Sequence, residues 1–313
     1  MAELTASAVG TNKRRRNRSK GKSYNRSWAW GWGLIAPTII GLFVLNIYPF
    51  FYTIYLSTMK SQGLGKAKFV GFDNFKALFS DPMIWNATRN TLFFVLLTVP
   101  VGVMISLILA ALLNNKIKWR DGYRAIYFLP MVVAPAAVAM VWKWIFNSDC
   151  GILNQFLGLF GIKGPTWISD PNTALLSCAI INIWSAIGYD LVLILAGLQG
   201  ISRSYYEAAE IDGASPVQSF FHITVPMISP TLFFVVLMRT MTSLKQFDTV
   251  YLLVKADNPA YKSTATLMTL FYREAFEKFN KGYASAIVLF SFVIISVFTA
   301  IQLIAEKKLV HYE

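Results

Sequence analysis

Residues 201–225 read ISRSYYEAAEIDGASPVQSFFHITV and separate two long apolar runs, 172–198 and 227–253. The stretch is neither apolar enough to cross a bilayer nor polar enough to be slack. Ser204-Tyr205-Tyr206-Glu207 has the form of a capping box, in which a hydroxyl and a carboxylate reciprocally satisfy free amides at a helix start. Ala208 and Ala209 propagate a helix well. Gly213 supplies a permissive backbone for a sharp stop. Ser215-Pro216-Val217-Gln218 then starts a second helix, with Ser as N-cap, Pro at the first helical position and Gln three after the cap. The pattern predicts a rigid elbow, which suits either a helix pair lying on the membrane interface or a docking element.

Outward from the elbow, six apolar runs are long enough to cross ~30 Å of hydrocarbon at ~1.5 Å per residue. They are 28–56, 91–113, 125–146, 172–198, 227–253 and 283–305. Composition agrees: the 313 residues are 55% hydrophobic and 14% charged, where soluble domains carry about 25% charge. The expectation is an all-α polytopic membrane protein with six transmembrane helices. A basic tail (1–27) precedes a membrane domain (28–305) carrying the cytoplasmic loop 201–225, and a short tail (306–313) follows. The run from Trp28 is too long for a signal peptide and lacks a small-residue cleavage site followed by a soluble domain, so it stays as a span.

The net charge of +13 is concentrated. Lys13, Arg14, Arg15, Arg16, Arg18, Lys20, Lys22 and Arg26 precede the first run, opposed only by Glu3, and such a tail is expected to be disordered. Beside a membrane span it is assigned to anionic lipid, at roughly 1 kcal/mol per residue, and to holding the N-terminus in the cytoplasm, not to nucleic acid. Lys116, Lys118, Arg120 and Arg124 crowd the link between spans two and three, against Lys163 alone between three and four. That asymmetry predicts both termini in the cytoplasm, although the longer outer loops carry lysines as well.

Gly21-Lys22-Ser23 has the ending of a phosphate-binding loop, but Arg16 stands where the earlier glycine belongs, so no ATP site is implied. Cys150, Cys178, His222 and His311 are scattered, which disfavours a disulfide framework, a metal cluster or an enzyme's nucleophile and base.

Charged groups at bilayer depth are costly and usually face a bundle interior, a partner or water. Asp190, Arg239 and Lys245 are the ones to explain, Arg239 lying about 13 residues past Pro226, near mid-bilayer. They suit a structural ion pair, a contact with a second subunit, or a polar lining. Asn182, Trp184, Tyr189, Gln246 and Asp248 join Asp190 and Arg239 as candidate pathway residues, because amides, carboxylates and rings together suit a hydroxyl-rich solute. Pro226, Pro230, Thr240, Thr242 and Ser243 interrupt span five, and broken helix at that depth is tolerated where it lines a cavity. Span five is therefore the expected pathway helix.

Glu207-Ala208-Ala209, Asp212-Gly213-Ala214, Ile223 and Pro226 resemble the EAA motif of permeases in binding-protein-dependent importers of the ABC type, with Val225 where that family usually has Leu. Phe69-Val70-Gly71-Phe72-Asp73-Asn74-Phe75, Asn90-Thr91-Leu92, Ala196-Gly197-Leu198-Gln199, Phe247-Asp248 and Gly282-Tyr283-Ala284-Ser285-Ala286 resemble the carbohydrate-uptake branch, maltose-importer-like sugar permeases. The resemblance implies a type I ABC importer permease fold. It also implies that Glu207, Ala208, Ala209, Asp212 and Gly213 dock on an ATPase subunit. ATP and Mg are then bound by partner subunits, with no cofactor in this chain. The implied partners are an ATPase dimer, a second homologous permease in a heterodimer and an extracellular solute-binding protein. The implied setting is a bacterial or archaeal plasma membrane and the implied solute a sugar, most naturally an oligosaccharide. Val254 to Pro259 replaces the Thr-x-Gly-Gly-Pro turn common in the branch, which leaves the outer mouth and its ligand open. The rival is an ion-coupled secondary transporter of a small polar solute, which would show inverted repeats and a mid-membrane carboxylate; no repeat relates 28–146 to 172–305, and Asp190 is the residue that would serve it.

Overall fold

Apolar runs bounded by prolines and asparagines become helices whose ends are set by local chemistry. The computed structural model describes residues 19–61, 67–115 and 118–310. The chain divides into two compact units between Tyr55 and Leu56. Among the described residues, four helices are long and apolar enough to cross a membrane: Trp30–Ser57, Pro82–Asn114, Ala174–Gly200 and Lys281–Lys308. Two bent pairs, Arg120–Val132 with Pro135–Ile145 and Pro216–Met227 with Ser229–Leu253, bring the number to six if each pair is one span. Besides helix, Met59–Lys60 and Lys68–Phe69 form a small antiparallel ribbon.

In the N-terminal unit the described helix is Ser19–Leu42, so residues 19–27 of the tail expected to be disordered are helical. Lys13, Arg14, Arg15, Arg16 and Arg18 lie outside the described residues, as does His311. A π turn, Phe43–Ile47, widens this helix two residues before Pro49. Pro49 has no N–H to give and its ring crowds the carbonyl four residues back, so the wider turn relieves the clash.

The second helix starts at Pro82, earlier than the apolar run suggested. Asp81 caps it by accepting from the Met83 amide at 2.8 Å, and Pro82 sits at the first helical position, where no N–H is needed. Its polar first turns are occupied: Asn90 Nδ2 donates to the Lys262 and Ala265 carbonyls at 2.9 and 3.0 Å. Thr91 Oγ1 accepts from the Leu267 amide at 3.2 Å.

The run 125–146 is not one straight helix; its two halves meet at 101°. Ala134 is extended (ψ 133°), as the residue before Pro135 must be, and Val133 is extended with it (ψ 138°). The fifth run departs too. Its 68° bend falls at Ile228, and the long helix Ser229–Leu244 then runs on without a break. Pro226 and Pro230 flank that bend, as expected of interrupting residues, whereas Thr240 and Thr242 bond back to the Val236 and Met238 carbonyls and leave the helix continuous. A further interruption lies at Lys245–Phe247, before the short helix Asp248–Leu253.

Pro82–Asn114 and Ala174–Gly200 pack side by side and parallel. Phe94 lies with Cys178 near one end, and Ala110 and Leu113 lie with Ile194, Leu195 and Leu198 near the other. Asn114 and Gly200 therefore leave at the same end, and the elbow leaves with them. At the opposite end the connecting segments tie together. Asn74 Nδ2 donates to the Ser57 and Met59 carbonyls at 2.7 and 2.9 Å, and Tyr283 Oη donates to Asp81 Oδ2 at 2.9 Å. Gly282 passes so close to the Met59 carbonyl that no Cβ would fit.

Candidate functional site

The elbow is built from local bonds. Its first helix is Arg203–Ile211, and the N-cap is Ser202, whose hydroxyl accepts from the Ser204 amide at 3.4 Å. The capping box expected at Ser204 is thus not formed: Ser202 starts the helix earlier, which takes Glu207 out of the capping position and leaves it exposed. The stop is as predicted. Gly213 adopts φ +77°, a left-handed conformation that disfavours side chains. The amides of Gly213 and Ala214 reach the Glu210 and Ala209 carbonyls at 3.1 and 2.9 Å. This is the Schellman arrangement, in which two carbonyls left over at a helix end are satisfied at once. It half-buries Ala209 against the turn, whereas Ala208 and Asp212 stay exposed.

The second capping box is present. Gln218 N donates to Ser215 Oγ at 3.3 Å, and Ser215 N donates to Gln218 Oε1 at 2.8 Å. A π turn, Phe220–Thr224, then ends two residues before Pro226, the same offset as at Pro49. Tyr206 Oη and Thr224 Oγ1 share a 2.8 Å hydrogen bond between the two arms. The outer surface of the elbow carries apolar side chains: Ile211 is 87% exposed and Val217 66%.

The pathway candidates gather elsewhere. Asn182, Tyr189, Asp190, Arg239, Gln246 and Asp248 line one cavity of about 530 Å³, between Ala174–Gly200, the fifth-run helices and the broken third run. Trp184 does not line it; it lies edge-on to Trp142, centroids 5.5 Å apart. Asn182 Nδ2 donates to Gln246 Oε1 at 2.8 Å, which leaves the Asn182 carbonyl and the Gln246 amino group for other partners. Arg239 Nη1 donates to Asp190 Oδ2 at 2.7 Å in a buried ion pair. Gly102 on the second helix makes room for the guanidinium, since any Cβ there would collide with it. Lys245 is exposed and is not among the cavity's lining residues.

Sequence reasoning missed part of the wall: Pro130, Val133 and Pro135 at the third-run break contribute to it. The closely spaced Pro130 and Pro135 were the available signal. At the opposite end from the elbow, the altered turn borders a polar basin of about 520 Å³ that includes Lys143, Asn147, Lys255, Asp257 and Asn258. Asn258 Oδ1 shapes the turn by accepting from the Ala260 amide at 2.8 Å.

Comparison with known proteins places this architecture. The fold resembles that of a chain in the crystal structure of a bacterial alginate ABC transporter in complex with alginate pentasaccharide-bound periplasmic protein. The TM-score is 0.82 at 24% identity, covering 92% of this chain and 96% of that one. In sequence it is 34% identical over 282 residues to the probable ABC transporter permease protein YesP of Bacillus subtilis (strain 168), covering 89% of this chain and 91% of the relative. It is 33% identical over 273 residues to the sulfoquinovosyl glycerol transport system permease protein SmoG of Agrobacterium fabrum (strain C58 / ATCC 33970), covering 86% and 88%. Residues 102–311, the elbow included, match the family described as binding-protein-dependent transport system inner membrane component. The chain belongs to that family, the permeases of ABC importers, and is a multi-pass membrane protein.

Proposed function

We propose that this chain is one half of the solute path of an ATP-driven sugar importer, fed by an extracellular binding protein and moved by separate ATPase subunits that bind ATP and Mg. The observation that carries the reading is the elbow. Two capped arms, a left-handed glycine stop and the Tyr206–Thr224 bond make it stiff, while Glu207, Ala208 and Asp212 are offered outward beside exposed Ile211 and Val217. Small side chains permit close approach, and apolar ones bury area in a partner's cleft. The docking set is Glu207, Ala208, Ala209, Asp212 and Gly213. With the elbow in the cytoplasm, both termini are cytoplasmic as well.

The solute is a saccharide, in the reading that the cavity supports best. The Asn182–Gln246 amide pair, Asp248 and Tyr189 offer donors, acceptors and a ring to a hydroxylated molecule, while Asp190 and Arg239 are engaged with each other. Relatives named for sulfoquinovosyl glycerol and for alginate support the sugar class without choosing within it. The other half of the path belongs to a second permease.

The test is uptake of labelled neutral and acidic di- to pentasaccharides by cells with and without this chain, joined to purification in mild detergent. The reading requires that uptake of at least one saccharide be lost and that an ATPase subunit and a second permease co-purify. Intact uptake of every saccharide, with loss confined to an amino acid or an ion, would refute the sugar class. Purification without any ATPase would refute the importer.

A further inference from the structure

The elbow is strung between two helices, Ala174–Gly200 and the helix that starts at Ser229, and the Asp190–Arg239 ion pair joins those same two helices. Asp190 lies about ten residues before Gly200 and Arg239 about ten after Ser229, so each leg is roughly 15 Å long. Out through the elbow and back, the chain forms a closed strut. Its legs touch along their length: Ile194 and Leu198 pack in one cluster with Ile228 and Val235, and a Cβ on Gly197 would stand 2.7 Å from Thr231 Oγ1. The Tyr206–Thr224 bond closes the base.

At the apex the pair is buried, and Arg239 Nε and Nη2 have no hydrogen-bond partner. A buried ion pair is weak support for a fold, because desolvation opposes its attraction and an apolar pair of similar volume often packs as well or better. An ion pair differs in being directional. Apolar side chains re-pack when two helices slide, whereas a 2.7 Å contact is lost within a small displacement. Tyr189 and Met238, next to the pair in sequence, line the cavity beside it.

We propose that Asp190 and Arg239 are positioning residues for transport, locking the apex of the strut so that displacement of the elbow reaches the cavity wall as a rigid tilt. The inference rests on the elbow being the coupling element.

The test uses the complete importer purified with its partner subunits, Cys150 replaced by Ser, and a reporter thiol, Met238→Cys, on the cavity wall. Its reaction rate with N-ethylmaleimide is measured with and without MgATP, in parallel with ATP hydrolysis. In the parent, MgATP changes the rate by roughly tenfold, a scale within reach of ordinary coupling energies. In Asp190→Leu with Arg239→Met, the complex hydrolyses ATP but the thiol no longer responds. A double variant that responds as the parent does overturns the inference and leaves the pair structural. Should that variant fail to assemble, Asp190→Asn, which keeps the volume and removes the carboxylate charge from the pair, is held to the same comparison. Gly213→Val separates the two ideas: a parent-like response there refutes the elbow reading, whereas a lost response there with a retained one in the double variant refutes only the role of the pair. A parent without any MgATP response refutes both.

Discussion

Replacing Gly213 by Val changes the elbow through its backbone alone. A Cβ at this position would meet nothing within 4 Å, so no clash contributes. The cost comes from φ +77°, where an L-residue loses about 1–2 kcal/mol and a β-branched one falls at the upper end. The alternative is for the turn to leave that conformation and release the amides of Gly213 and Ala214 from the Glu210 and Ala209 carbonyls. Either way the formed elbow loses about 1–2 kcal/mol, a factor of roughly 5–30 in its population. The membrane helices are untouched, so the chain still inserts in the membrane. Asn tolerates the left-handed region best among side chains, which predicts the order Gly, Asn, Ala, Val for uptake per ATP hydrolysed in proteoliposomes. Equal coupling by the Asn and Val variants, or a Val variant that fails to reach the membrane, would refute the argument that backbone geometry at Gly213 carries the force.

At the opposite end, Gly282→Ala drives a Cβ into the Met59 carbonyl, held by Asn74, and should lower stability by about 1–3 kcal/mol as overpacking does. Gly158→Ala, in a helix with open space around it, should cause no loss in the same thermal melt in detergent. Asn90→Ala strands the Ala265 carbonyl, while the Lys262 carbonyl keeps its bond from Asn86 Nδ2 at 2.7 Å; the cost should be about 1–3 kcal/mol, and limited proteolysis of the segment 254–280 should accelerate. Asn182→Ala and Gln246→Ala should each raise the saccharide concentration needed for half-maximal uptake. Because the two side chains bond to each other, their effects should be non-additive by about 0.5 kcal/mol or more in a double-mutant cycle.

How much of this was legible in the sequence depends on how far apart the partners lie. The Gly213 stop and the Ser215–Gln218 capping box were readable because each is decided within a few residues. Even there a competing cap two residues upstream, Ser202, displaced the box expected at Ser204, since two adjacent hydroxyls can serve one helix start. The cavity was half-legible. Polar side chains within apolar runs can be read from the sequence, but that Arg239 meets Asp190, that Asn182 meets Gln246 and that Trp184 turns away are long-range facts with no local signature.

The break at Val133–Ala134 in the run 125–146 and the interruption at Lys245–Phe247 in the run 227–253 border the same cavity, whereas the 68° bend at Ile228 lies at the elbow end. Two independent helix breaks have no reason to converge if each merely follows its prolines. Backbone released from helix at membrane depth needs protein or water to satisfy it, so breaks survive where a cavity supplies both. The breaks and the cavity therefore account for each other, and side chains at the breaks, Val133 and Gln246 among them, stand on the wall. In a chain of this kind a kinked apolar run next to a polar one is a better pointer to the solute path than any single charged residue, because a charge can be silenced by one partner, as Asp190 silences Arg239, whereas a break must be served by the space around it.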